Sequence, residues 1–130
     1  MTAIRVLLVD DDQLIRKMLA ALLSTLGAEV VGEAENGKQA VLFQSKLNPD
    51  VTFLDIQMPV KNGFDALREI KRQDAHADVI MLTASDDTVI AESCINAGAR
   101  SYIKKGESFE ALGPVVEKLL STVQVRGTLK

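Results

Sequence analysis

Short apolar runs alternate with segments of helical periodicity five times along this 130-residue chain, and this alternation constrains the fold more than any other feature. The intervening segments place apolar residues three or four positions apart, as amphipathic helices do. The last helix is expected to begin near Ser108 and to run to about Leu120. Such alternation is typical of α/β proteins with a parallel sheet. The apolar runs cover residues 4–9, 29–34, 51–54, 79–83 and 101–105.

The composition of the five runs predicts their order in the sheet. Runs one, three and four are almost wholly apolar, as expected of strands that helices cover on both faces. Runs two and five carry or adjoin charged residues, as edge strands often do. These assignments predict the flavodoxin-like (βα)5 architecture, a three-layer α/β sandwich with a parallel sheet of order 2-1-3-4-5. The charged residues are Glu29, Glu33, Arg100, Lys104 and Lys105.

Composition favours one globular domain and narrows the possible partners. Of the residues, 47% are hydrophobic, and the formal net charge is −3, which offers no basic field for direct nucleic-acid binding. The single cysteine, Cys94, excludes an internal disulfide and suits a reducing compartment. No apolar run has the ~18 residues of a membrane helix. We therefore expect a cytoplasmic chain without membrane association, with a domain over residues 1–122 and a tail over 123–130.

Polar residues end four of the five predicted strands. Ligands of open α/β sheets bind at the carboxyl ends of the strands, where the strand order switches. Strands one and three are neighbours in the predicted order, so their terminal carboxylates are expected to share a crevice. Clustered carboxylates are ligands for a hard cation, and Mg²⁺ is the expected occupant. The strand-ending residues are Asp10, Asp11 and Asp12, then Asp55, then Thr83, then Lys104 and Lys105.

The same cluster suggests phosphoryl chemistry. Mg²⁺ usually takes only one or two carboxylates, which leaves another carboxylate free to act as a nucleophile. A carboxylate nucleophile can accept a phosphoryl group as an aspartyl phosphate. Such transfer needs positioning and charge neutralisation, for which Thr83 and Lys105 are candidates beside the metal.

Four segments carry a family resemblance over about residues 4–120. The segments "LLVDDDQLIR", "FLDIQMPVKNG", "MLTAS" and "GARSYIKK" resemble the receiver domain of two-component response regulators. The resemblance implies that Asp55 is the phosphoacceptor and also contacts the metal. It implies that Asp11 binds Mg²⁺ directly and Asp10 largely through water. The backbone carbonyl of Gln57 would be a further ligand.

The resemblance also assigns three residues outside the metal site. Thr83 corresponds to the switch hydroxyl residue, Tyr102 to the switch aromatic residue and Lys105 to the lysine that is typical of the family's site. A sensor histidine kinase or a histidine phosphotransfer protein would supply the phosphoryl group to Asp55. Thr83 and Tyr102 would then move, changing the face formed by helix four, strand five and helix five for an unidentified output partner. The chain would catalyse only its own phosphorylation and dephosphorylation.

Three other functions remain open from the sequence. The chain could be a receiver-like binding module that is not phosphorylated. It could be a phosphatase with an aspartyl nucleophile in "VDDD", although there is no room for the cap that such enzymes carry. An FMN-binding module on the same fold would need a Ser/Thr/Gly-rich loop after strand one, where this chain has three acids.

Several residues have simpler structural interpretations. Asp12 is expected to cap a helix, and Cys94 to be a small core residue. Arg16 and Lys17 are expected to lie on a solvated helix face. Gly106 stands where many receivers have proline after the lysine, so a cis peptide bond is not expected there. Gly113 and Pro114 predict either a helix that starts at Pro114 or one that is kinked there.

Overall fold

The computed structural model describes residues 3–84 and 88–126, and in this part of the chain five strands alternate with five helices. Ser85, a polar neighbour of the expected site, and residues 127–130 of the predicted tail lie outside the described residues. The strands are β1 (Arg5–Val9), β2 (Glu29–Ala34), β3 (Val51–Asp55), β4 (Val79–Thr83) and β5 (Ser101–Lys104). The helices are α1 (Gln13–Thr25), α2 (Gly37–Leu47), α3 (Gly63–Gln73), α4 (Thr88–Asn96) and α5 (Phe109–Leu120).

All neighbouring strands are parallel, and their order is β2-β1-β3-β4-β5. This confirms the predicted flavodoxin-like topology. Strands β3 and β4 are buried at every residue, and β1 at all but its first. Strands β2 and β5 are only partly buried, as expected of the two edges. The chemistry of the runs therefore predicted the strand order correctly.

Successive residues of the central strands point to opposite faces of the sheet, where two apolar clusters form. On one face, Leu8 and Phe53 pack with residues of α1 and α5. On the other face, Leu7 and Leu54 pack with residues of α2, α3 and α4. Cys94 belongs to this second cluster and is fully buried, as predicted. The sheet is thus the middle of three layers.

Among the described residues, side-chain caps begin four helices. The carboxylate of Asp12 accepts a hydrogen bond from Leu14 N at 2.9 Å, which confirms its predicted capping role. Asn36 and Asn62 cap α2 and α3 in the same way, and Ser108 caps α5. Because α1, α2 and α3 each follow a parallel strand, these caps fix the turns at the carboxyl edge of the sheet.

Helix α5 begins at Phe109 and continues through Pro114, so the alternative in which it begins at Pro114 is wrong. At this interior position proline lacks the N–H that would extend the helical hydrogen-bond pattern. Gly106 has a φ of 91°, which proline cannot adopt, and the described residues contain no cis peptide bond. No helix within the described ranges has the length and apolar character needed to cross a membrane.

Candidate functional site

Three carboxylates converge at the carboxyl ends of β1 and β3. Asp10, Asp11 and Asp55 each offer one oxygen, and these oxygens lie within 4.8 Å of one another. Asp10 and Asp55 are buried, whereas Asp11 is exposed. The structure thus brings together the three acids that the sequence placed in one crevice. The exposed member leaves the cluster open to solvent on one side.

Lys105, just after β5, reaches across to two of these carboxylates. Its Nζ atom donates to Asp10 Oδ2 at 2.8 Å and lies 3.0 Å from Asp55 Oδ2. The backbone N–H of Lys105 donates to the carbonyl of Thr83 at 2.8 Å. This bond fixes the residue at the sheet edge, so that its side chain enters the acidic cluster. Hereafter Asp10, Asp11, Asp55 and Lys105 are called the acidic pocket.

Negative charge exceeds positive charge in the acidic pocket. The pKa of Asp55 is raised from its ordinary value of 3.8 to about 7, chiefly by burial. The neighbouring carboxylates of Asp10 and Asp11 contribute to this rise, and Lys105 opposes it. No donor among the described residues meets hydrogen-bond geometry to the buried Asp55 Oδ2. The single ammonium group therefore leaves the pocket short of positive charge.

The donor set fits a hard divalent cation such as Mg²⁺. Carboxylate oxygens are the ligands that such ions prefer, and clustered carboxylates bind them to relieve their mutual repulsion. Asp55 Oδ2 lies 3.0 Å from the Lys105 ammonium group but has no donor in good hydrogen-bond geometry among the described residues, and a buried oxygen so incompletely satisfied supports this fit. Asp10, Asp11 and Asp55 are the residues whose side chains could hold the ion.

A cavity of about 110 Å³ lies beside Asp55. Gln57 has an exposed side chain, Thr83 is buried at the end of β4, and both line this cavity. A hydroxyl and an ammonium group therefore border the space next to the Asp55 carboxylate. The lining residues are Asp55, Ile56, Gln57, Thr83, Ala84, Ile90 and Lys105.

Tyr102 lies apart from this group. It is on edge strand β5, opposite Met81 of β4, and its side chain is 39% exposed. Tyr102 is not among the described residues that line the cavity. The structure thus places the predicted switch aromatic residue on the outer surface, on the strand that leads to Lys105.

Gly63 is a site residue that the sequence analysis missed. A Cβ atom at this position would lie 1.9 Å from the backbone oxygen of Asp55. The Gly63 N–H also donates to the carbonyl of Ile56 at 2.6 Å. Helix α3 can therefore start against the Asp55 backbone only because residue 63 has no side chain. The Asn-Gly pair before an amphipathic segment was the available signal.

The expectation for Arg16 was wrong, because its side chain is not on a solvated face. Only 12% of the side chain is exposed. Its Nη1 atom donates to the backbone carbonyl of Asp10 at 2.5 Å, and Nε donates to Glu33 Oε1 at 2.9 Å. The position of Arg16 one turn after the Asp12 cap was a usable signal, since that turn lies at the same edge as the acids.

The sequence of this chain matches one known protein family over most of its length. The family model described as the response regulator receiver domain matches residues 6–117. That range covers β1 from its second residue, the other four strands in full and most of the last helix, as well as every residue of the acidic pocket.

Individual relatives give the same assignment. The chain is 42% identical to the chemotaxis protein CheY of Thermotoga maritima over 101 residues, covering 78% of this chain and 84% of that protein. It is 40% identical to CheY of Bacillus subtilis over 117 residues, covering 90% and 98%. Among solved structures, a complex of CheX, CheY, BeF3 and Mg²⁺ from Borrelia burgdorferi superimposes with a TM-score of 0.84 at 28% identity, covering 93% of this chain and 90% of that one.

Proposed function

The chain belongs to the response regulator receiver family, and from this premise we propose that Asp55 accepts a phosphoryl group in a reaction that needs Mg²⁺. One observation carries the proposal. A buried carboxylate lies with Asp10 and Asp11 on one side and the Lys105 ammonium group 3.0 Å away on another. This arrangement supplies both a nucleophile and the groups that neutralise an incoming phosphoryl group.

In the proposed reaction an Asp55 oxygen attacks the phosphorus of a phosphohistidine on the donor protein. The phosphorus–nitrogen bond breaks as the phosphorus–oxygen bond forms, and the electron pair returns to the imidazole. Lys105 neutralises charge on the phosphoryl oxygens, and Thr83 offers its hydroxyl as a hydrogen-bond donor. Both residues line the cavity beside Asp55.

The proposed Mg²⁺ ligands are the carboxylates of Asp10, Asp11 and Asp55 and the backbone carbonyl of Gln57. Bound Mg²⁺ would neutralise phosphoryl oxygens and the carboxylates together. Two observations support this part of the proposal: the convergence of three carboxylate oxygens within 4.8 Å, and the Mg²⁺ in the related CheY complex from Borrelia burgdorferi.

The proposed output follows from the position of the site on the sheet. Phosphorylation of Asp55 would draw the Thr83 side chain towards the phosphoryl group, and Tyr102 would move inward from its half-exposed position. The expected result is a population shift on the face formed by α4, β5 and α5. The donor would be a sensor histidine kinase or a histidine phosphotransfer protein in the cytoplasm, and an output partner would read the changed face.

The test is the intact-protein mass after incubation with acetyl phosphate, with Mg²⁺ or with EDTA. The Asp55→Asn variant removes the nucleophile. Asp12→Asn is the matched control, because asparagine also caps helices and Asp12 already serves as a cap. We expect the parent and Asp12→Asn to gain one phosphoryl group with Mg²⁺, and neither to gain it in EDTA.

Asp55→Asn should gain no mass under either condition. An equal gain on this variant would assign the phosphoryl group to another residue and contradict the proposal. If the parent gained no mass under any condition, the chain would be a receiver-like binding module that is not phosphorylated. Release of phosphate from added phosphate monoesters with many turnovers would instead indicate the phosphatase.

A further inference from the structure

Arg16 lies behind the acidic pocket and contacts its backbone. The residue is one turn into α1, and its backbone N–H donates to the carbonyl of Asp12. The guanidinium group reaches back towards the end of β1, where it donates to the Asp10 carbonyl at 2.5 Å. Its other described contact is Glu33, near the end of edge strand β2. The side chain therefore links α1 to the ends of two strands.

Asp10 is held through each of its polar groups. Its backbone N–H donates to the carbonyl of Ala34 at 3.1 Å. Its Oδ1 atom accepts from the N–H of Asp12 at 2.9 Å, and its Oδ2 atom accepts from Lys105 at 2.8 Å. The backbone carbonyl of Asp10 accepts from Arg16. Arg16 therefore provides the contact that fixes the peptide unit joining Asp10 to Asp11.

This peptide unit needs to be fixed because the two residues on either side of it repel each other. Asp10 and Asp11 are adjacent carboxylates that share a cluster with Asp55. A shift of the backbone at Asp10 and Asp11 would move the exposed Asp11 side chain relative to Asp10 and Asp55. A charged donor on a partly buried carbonyl resists such a shift more strongly than a neutral donor would.

We propose that Arg16 is a positioning residue for the metal site: by holding the Asp10 carbonyl, it keeps the Asp10 and Asp11 carboxylates directed towards Asp55. This inference rests on the proposed Mg²⁺-dependent function. Arg16 itself touches neither the phosphoryl group nor the ion in this assignment. It acts through the backbone of the β1–α1 turn.

Removal of the Arg16 side chain changes Mg²⁺ affinity in one direction if Arg16 positions the ligands and in the other if it acts only through its charge. A guanidinium group near a cation site repels the cation, so its removal alone would tighten Mg²⁺ binding. Loss of the positioned carboxylates would weaken binding instead. Contacts that orient metal ligands typically contribute about 10- to 100-fold to metal affinity. We therefore expect the positioning effect to prevail.

The experiment measures the Mg²⁺ dissociation constant by titration calorimetry on four folded variants and the parent. Arg16→Met should weaken binding by about tenfold, at the lower end of the range for contacts that orient ligands. Arg16→Lys keeps the charge but cannot donate from two nitrogen positions to two acceptors, so we expect it to weaken binding by about threefold. Glu33→Gln leaves the Asp10 contact in place and should change affinity by less than about twofold. Asp11→Asn is the reference for a disrupted site.

Unfolding in EDTA checks that each variant is folded, and the amide signal of Asp12 in NMR spectra reports its bond to Asp10. In Arg16→Met we expect this signal to shift while amide signals of β4 and β5 stay unchanged. Equal or tighter Mg²⁺ binding by both Arg16 variants would overturn the inference but leave the proposed function standing. A parent that binds Mg²⁺ no better than Asp11→Asn would overturn the metal site itself, and the inference with it.

Discussion

Both ends of the sheet carry buried aspartates, but the partners of these carboxylates differ between the two ends. At the carboxyl end, three carboxylates cluster together, the ammonium group of Lys105 contacts two of them, and Asp55 Oδ2 has no donor in good hydrogen-bond geometry among the described residues. At the amino end, each aspartate has its own partners. Asp50 is almost completely buried there, yet both of its carboxylate oxygens accept hydrogen bonds.

The partners at the amino end come from the backbone and from arginines. Asp50 accepts from the backbone N–H groups of Arg5 at 2.8 Å and Arg126 at 2.7 Å. Asp78 pairs with Arg100, whose Nε donates to it at 2.8 Å. These contacts join the start of β1, the connections before β3, β4 and β5, and the segment after α5. At the amino end, the carboxylates of Asp50 and Asp78 therefore have hydrogen-bond donors for both of their oxygens.

This difference separates a structural use of aspartate from a functional one. A buried carboxylate whose two oxygens both accept backbone hydrogen bonds stabilises the fold, as at Asp50. A buried carboxylate whose charged form is disfavoured by burial and by neighbouring carboxylates, as at Asp55, lowers stability until a cation binds. The same conservative substitution, aspartate to asparagine, should therefore change stability in opposite directions at the two ends.

The largest effect is expected for Asp55→Asn without metal. The pKa of Asp55 is raised to about 7, so the folded state disfavours the ionised form. Its contribution is fully favourable below the ordinary value of 3.8 and is lost as the pH rises through about 7. Each pKa unit corresponds to about 1.4 kcal/mol, so Asp55→Asn should be more stable than the parent at pH 8 by up to about 4 kcal/mol.

Urea unfolding in EDTA at pH 4, 6 and 8 measures this difference. It should be near zero at pH 4 and increase with pH, because only the parent acquires the buried charge. Addition of Mg²⁺ should reduce the difference, since the ion binds the folded parent. If Asp55→Asn were less stable than the parent at pH 8 in EDTA, the contrast between the two ends would not hold.

Asp50→Asn should have the opposite and smaller effect. Asparagine keeps one acceptor oxygen but presents an amide donor to the second backbone N–H, so one bond of the pair is lost. Hydrogen bonds to charged groups contribute about 1.5–3 kcal/mol, and we expect destabilisation of about that size. The same unfolding series measures it. An Asp50→Asn variant as stable as the parent, or more stable, would contradict the comparison.

The sequence predicted the sheet more completely than the site. Apolar runs and edge charges were sufficient to predict the strand order, because strands buried on both faces consist almost entirely of apolar residues. The convergence of Asp10, Asp11 and Asp55 followed from that order, although their roles stay predictions. Arg16 and Gly63 were missed for a physical reason. Each acts on a backbone carbonyl of the pocket, and such contacts depend on turn geometry rather than on residue pattern.

The helix that contains Gly113 and Pro114 also shows that a local sequence motif does not determine the structure by itself. Propensity predicted either a start at Pro114 or a kink there, and α5 is helical from Phe109 to Leu120, which contradicts the first alternative. Leu112, Val116 and Leu120 are buried against the sheet on one helix face. Burial of this stripe offsets the missing backbone hydrogen bond, and tertiary packing of that kind cannot be read from a local motif.

The smallest effect is expected for the partly exposed ion pair between Arg126 and Asp74 at the amino end. Arg126 donates to Asp74 at 2.6 Å, and both side chains are partly exposed. Arg126→Met removes this ion pair but keeps the backbone N–H that reaches Asp50. It also removes Nη1, a buried nitrogen without a hydrogen-bond partner among the described residues. Exposed ion pairs contribute about 0.2–1 kcal/mol, so the loss should stay below about 1 kcal/mol.

Asp74 supplies a second measurement on the same variant. Burial raises the pKa of Asp74, but the hydrogen bonds from Arg126 and from the backbone N–H of His76, together with the nearby positive charge, hold it below the ordinary value of 3.8. In Arg126→Met the pKa of Asp74 should therefore rise, as NMR titration of its carboxyl carbon would show. A clear rise with little change in stability would mean that Asp50, through the backbone, anchors the segment after α5. A loss comparable to that of Asp50→Asn would mean that the exposed ion pair anchors it, and the amino end would then depend on charge as much as the acidic pocket does.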